Sequence, residues 1–129
     1  MIAMLLTLTL GLIAALHLLW GFGFWFPIRD EARLARTVVG AKGIVEMPGA
    51  VPCALVVVAL LFGISVIHWP DVTARGWLLR AAAGVFLLRG LASYAPVWRR
   101  LVPEQPFARL DRAFYGPLGL AIGVGLLEV

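Results

Sequence analysis

A single cysteine, Cys53, and two histidines, His17 and His68, are all the chain has of the residues that most often hold metals, haem or a reactive thiolate. One cysteine excludes an intrachain disulfide and any CxxC or CxxCH motif. One histidine with distant carboxylates is a poor zinc set, so neither a metal nor a cofactor is expected. The HExxH, GxSxG and Walker patterns are absent as well. Charge is sparse: 14% of residues are charged, with 11 Lys and Arg against 7 Asp and Glu, a formal net charge of +4. No basic helix or aromatic-interleaved platform is present, which argues against nucleic acid and for an anionic membrane surface.

What the chain has in abundance is apolar surface. Hydrophobic residues make up 62% of the 129 positions, against roughly 45–50% in soluble domains. The length fits one domain, residues 1–129. The opening MIAMLLTLTLGLIAAL lacks the basic n-region of a signal peptide, and its apolar run continues to Phe26. It therefore reads as a retained transmembrane helix.

A helix crossing the bilayer needs about 20 apolar residues. Four stretches are expected to cross, over residues 2–26, 51–69, 76–95 and 107–128, giving an all-α polytopic bundle. The first three read most clearly. The fourth reaches across only if it begins near Phe107, which places Pro117 inside it as a kink. Gly119 and Gly123 form a GxxxG pair, expected to serve packing within the chain.

The connections carry most of the basic side chains. Arg29, Arg33, Arg36 and Lys42 follow the first stretch, and Arg99, Arg100, Arg109 and Arg112 follow the third. The positive-inside rule puts both connections in the cytoplasm and both termini outside, in the inner or plasma membrane of a bacterium. RDEARLARTVVG reads as a short interfacial helix ended by Gly40 at its C′ position. Its face of Arg29, Arg33 and Arg36 suits anionic lipid headgroups. The competing reading is a solvated face in which Asp30 pairs with Arg33.

Arg89 lies inside the third stretch, and an ionised guanidinium at membrane depth needs a partner, a wet cavity or a route to the interface. His17 and Arg89 are each about three residues past the centre of their helices, at similar expected depth. With Trp20, Glu46, Asp111 and Tyr115 they are expected to border one cytoplasm-facing polar site. Glu46 or Asp111 would then be the counter-charge of Arg89. The same groups also suit a structural lock.

The segments HLLWGFGFWFP and RDEARLARTVVG, the Met47–Gly49 tripeptide, Arg89–Gly90 and FARLDRAFYGPLGL together resemble an uncharacterised, domain-of-unknown-function family of small bacterial membrane proteins. The resemblance covers nearly the whole chain. It implies four membrane helices and carries over no activity, cofactor or catalytic residue. The residues leave three functions open. One is a non-enzymatic accessory subunit, in a larger complex or homodimer, or a binder of a lipid-soluble ligand. Another is an enzyme on a lipophilic substrate with His17 as acid and base. The third is a dimeric carrier of small anions or protons.

Overall fold

The computed structural model describes residues 1–129 and contains helices and turns without strands. The helices are α1 (Ile2–Gly21), α2 (Glu31–Val38), α3 (Ala50–Ile67), α4 (Thr73–Ala92), α5 (Pro96–Leu101), α6 (Phe107–Leu110) and α7 (Gly116–Glu128). A π-helical turn over Asp111–Tyr115 joins α6 to α7 without a break. Three stretches are long and apolar enough to cross a membrane: α1, α3 and the continuous run Phe107–Glu128.

Two of the expected stretches exchange rank. The last one qualifies because it does begin at Phe107. At ~1.5 Å per residue, its 22 residues cover about 33 Å, enough for hydrocarbon ~30 Å thick. The third, α4, has 20 residues but falls outside the set because it carries Arg75, Arg80 and Arg89. The first helix also stops earlier than expected. It ends at Gly21, and the aromatic run through Phe26 belongs to the connection, where Gly23 takes a φ of +80°.

The long helices are apolar on nearly all sides, so no solvent-facing polar stripe separates a wet face from a dry one. Only 24 of 129 residues are buried, and large apolar side chains such as Leu8, Leu12, Leu55, Leu61, Leu88 and Leu127 point outward. So much outward apolar surface is the profile of a protein solvated by lipid.

Inside, α1 packs mainly on α3 and α4 mainly on α7, with lighter contact between α3 and α4 and between α1 and α7. One end is closed by Leu6, Leu10, Val66, Ile67, Leu79, Ala83, Ile122 and Leu126, drawn from all four long helices. The other end is capped by the connections. α2 seats Leu34 and Ala35 against Trp20, Met47 and Cys53. Asp30 caps α2 by accepting the Ala32 N–H at 3.1 Å, so it is not the partner of Arg33. Gly40 ends the helix as expected, at φ +71°, and its N–H reaches back to the Ala35 carbonyl at 2.9 Å. A side chain there would also collide with the Phe107 ring.

The α4–α7 contact is a glycine seam. A Cβ on Gly123 would sit 2.6 Å from Leu87 Cγ, one on Gly119 would sit 3.2 Å from the Phe86 carbonyl oxygen, and one on Gly90 would sit 2.7 Å from Leu120 Cγ. The GxxxG pair is thus used inside the chain. Gly123→Leu should destabilise the fold by about 1–3 kcal/mol through overpacking. Gly63→Leu, where an added Cβ meets nothing within 4 Å, should be nearly neutral. Unfolding midpoints in a neutral detergent compare the two, and equal midpoints would reject the seam.

Candidate functional site

The turn from α4 to α7 is built by three local instructions. Pro96 opens α5 at its first position, where a missing N–H costs nothing. Pro117 sits in the first turn of α7, directly after the π turn. A proline cannot donate to the carbonyl one turn back, and the wide π turn lies just where that ladder is interrupted. Gly116 then lets the backbone meet buried Ser93, whose Oγ donates to the Gly90 carbonyl at 2.7 Å.

The result is a carboxylate enclosed by donors. Asp111 is fully buried. Its Oδ1 accepts from Arg89 Nη2 at 2.8 Å. Its Oδ2 accepts from Trp98 Nε1 at 2.8 Å and from Arg99 Nη2. The Arg89 guanidinium lies over the Trp98 ring, 4.7 Å from its centroid, a cation–π contact that also orders the indole. Arg99 Nη1 donates to the Ala108 carbonyl at 3.0 Å. These contacts tie the C-terminal end of α4, all of α5 and the start of the last helix to one side chain.

Two guanidiniums share one carboxylate, so the cluster keeps an excess positive charge. Arg89 Nη1 and Arg99 Nε are buried without a hydrogen-bond partner. The Arg99 side chain is 14% exposed and that of Arg89 is 34% exposed, so Arg89 forms the rim of the cluster and Arg99 its floor.

The other expected site residues lie apart from this cluster. His17 Nδ1 is 2.8 Å from the Ile13 carbonyl of its own helix, and its ring lies tilted against Trp20, with 4.9 Å between centroids. Trp20 is buried, and its Nε1 donates to the Phe26 carbonyl at 2.7 Å. Glu46 is exposed and makes no ion pair. Its neighbour Met47 is held instead by Glu31, whose Oε2 accepts the Met47 N–H at 3.0 Å. Tyr115 turns to the first connection, donating to the Thr37 carbonyl at 3.0 Å. Arg89 and Asp111 are therefore brought together, His17 and Trp20 form a second pair, and Tyr115 bridges the connections. No hydrogen bond joins His17 to Arg89, Glu46, Asp111 or Tyr115.

Trp98 and Arg99 are the members that sequence reasoning missed. Proline at a helix start is a signal that α5 exists, and a short helix after Pro96 would place Trp98 and Arg99 beside the end of α4. Arg29, Arg33 and Arg36 make no ion pair. Arg29 precedes α2, so the expected three-arginine helix face is a two-arginine face with Arg29 at its entrance. No group of three or more His, Cys, Asp or Glu residues converges as a metal site.

The chain belongs to the family described as a protein of unknown function (DUF3995), which matches residues 10–126. Neither the curated proteins nor the solved structures gave a match.

Asp111→Asn should be the most damaging change in the cluster, because it leaves the largely buried Arg99 and the half-buried Arg89 without a counter-charge. Breaking a buried pair in this way costs about 3–5 kcal/mol. Arg89→Leu should cost less, about 1–3 kcal/mol, since Asp111 keeps Arg99 and Trp98. Unfolding in neutral detergent gives the order, and Arg89→Leu proving the worse would overturn the arrangement.

Proposed function

We propose that the protein is a non-enzymatic, multi-pass subunit of a bacterial inner membrane, with α4 as a fourth crossing helix. It acts as an accessory or structural component, or as a holder of a lipid-soluble or anionic ligand at its cytoplasmic cap. The observation that carries this reading is the commitment of Asp111, whose two oxygens are taken by Arg89, Trp98 and Arg99. A general base must sit within about 2.6–3.2 Å of the proton it takes, and this carboxylate is fully buried with three of its about four acceptor directions taken by the protein's own donors. His17 has one ring nitrogen held by its own helix and its ring lies against Trp20, with no carboxylate bonded to it to set an acid–base pair.

The arrangement of charges along α4 supports its crossing. Arg75 donates to the Ile67 carbonyl at 2.9 Å at one end, and Arg89 meets Asp111 near the other. Arg80 is exposed and lies over Trp77, 5.5 Å from a ring centroid, and its long stem lets the charge snorkel toward headgroups. Between Arg80 and Arg89 the helix is wholly apolar, Ala81–Leu88.

Both basic connections lie at one end of the molecule, joined to each other by Lys42 N–H to the Leu101 carbonyl at 3.1 Å and by Tyr115 to Thr37. The positive-inside rule favours the cytoplasm for that end and the non-cytoplasmic side for both termini. Arg29, Arg33 and Arg36, unpaired within the chain, are then available to anionic headgroups at about 1 kcal/mol each.

Single cysteines test the orientation in a Cys53→Ala background. Val45→Cys, at an exposed site in the first connection, should resist an impermeant thiol reagent in intact cells, while Thr73→Cys, exposed at the opposite end, should react. The reverse pattern rejects the orientation. Replacing Arg29, Arg33 and Arg36 together with Gln should weaken retention of the first connection on the cytoplasmic side, scored by the same labelling. Unchanged labelling would leave these arginines as solvated groups only.

A further inference from the structure

Beside the Asp111 cluster, a groove of about 1010 Å³ opens between α5 and the start of the last helix. Its lining includes three arginines, Arg99, Arg109 and Arg112, together with Gln105, and no acidic residue. Arg109 and Arg112 are exposed and make no ion pair. Their backbones are already engaged: the Arg109 N–H donates to Gln105 Oε1 at 3.1 Å, and the Arg112 carbonyl accepts from Tyr94 Oη at 3.0 Å. The backbone is therefore fixed while both guanidiniums are free. On the inner wall, Arg99 shares its only carboxylate with Arg89, and its buried Nε lacks a partner.

An open groove lined by three arginines and no acidic residue, with an orphaned buried donor on one of them, has the chemistry of a phosphate receptor. Guanidinium forks match phosphate oxygens in pairs. We propose that this groove binds the phosphate of an anionic phospholipid headgroup. Lipid is favoured over free phosphate by what surrounds the arginines. Phe114, Tyr94, Val97 and Leu101 stand exposed at the same end, and exposed aromatics beside cations are the residues that settle at the headgroup level. Arg109 and Arg112 also lie in the first turns of the continuous helix Phe107–Glu128, long enough to cross the membrane, so an acyl chain can run along that helix while its phosphate stays among the arginines. The inference deepens the proposed function by naming its ligand. It depends on this end of the molecule lying at a membrane surface, whichever side that is.

The test uses the full chain in neutral detergent, titrated with phosphatidylglycerol, with phosphatidylcholine, or with inorganic phosphate. Bound lipid is counted by native mass spectrometry, and stabilisation is read as the shift in unfolding midpoint. Phosphatidylglycerol should bind saturably and raise the midpoint, while phosphatidylcholine should not. Arg109→Gln with Arg112→Gln should weaken phosphatidylglycerol binding at least about tenfold, the worth of one charge-assisted hydrogen bond. The lipid-free midpoint of that variant should match the parent, because neither side chain has a partner in the fold. The single variant Arg112→Gln should show a smaller loss and guards against a folding defect in the double one. Replacement of Arg29, Arg33 and Arg36 with Gln should leave the saturable binding intact. Equal binding by parent and double variant overturns the proposal, as does loss of binding in the Arg29, Arg33 and Arg36 variant alone. Equal stabilisation by millimolar inorganic phosphate overturns the lipid assignment. Reversed cysteine labelling would reject the proposed orientation while leaving this binding result unaffected.

Discussion

A carboxylate with no access to solvent governs the second half of this molecule. Asp111 draws an arginine from a long helix, an arginine and an indole from a short one, and it stands itself at the head of the last helix. A charge cannot be buried cheaply unless each lone pair finds a donor. Three donors from two other helices, two of them cationic, fill most of those lone-pair directions, and the geometry of the cap follows from that demand. α5 has to turn back toward α4, and the last helix has to start near Phe107. The π turn, which widens the helix at Asp111–Tyr115, lies between the residue that engages α4 and α5 and the one that engages the first connection.

The first half is organised by packing rather than charge. α1 and α3 lean on each other, and their capped end is filled by Trp20, Leu34, Ala35, Met47 and Cys53. Polar groups there serve to end helices and pin loops. Asp30 caps α2, Glu31 holds Met47, and the Trp20 indole fixes the turn at Phe26. At the capped end the halves meet where Phe107 lies against Gly40 and Tyr115 reaches Thr37. Both contacts are local and specific, which allows the two basic connections to form one surface.

Much of the fold was legible in the sequence, because apolar length and helix punctuation are local signals. The four long helices, the short helix ended by Gly40 and the early start of the last helix at Phe107 all follow from runs of Leu, Val and Ala broken by Gly and Pro. The site was legible only in part. Arg89 announces its need for a partner, and Asp111 was one of two candidates. Which of the two it meets depends on how α5 folds back, and that is a tertiary matter. Glu46 carries the same charge at the entrance to α3, yet it stands outside. His17 and Arg89 were linked by depth alone, and depth says nothing about direction around the helix axis. α4 stands outside the set that qualifies by length and apolar composition because three arginines are spread over its length, a feature its apolar centre hides.

The separation of Arg89 from Asp111 along the chain, 22 residues, sets an order of events during synthesis. At about 5–20 residues per second, the ribosome finishes the arginine roughly one to four seconds before the aspartate. Through that interval α4 carries a guanidinium whose counter-ion has not yet been made. If α4 crosses the bilayer, it has to wait at a hydrated boundary until the last helix arrives. The two then enter as a pair, with the glycine seam closing behind them. The nascent chain of this small protein is thus asymmetric in time: with α4 in the bilayer, α4 and α7 would form a single unit of insertion, while α1 and α3 need no counter-ion from a later helix.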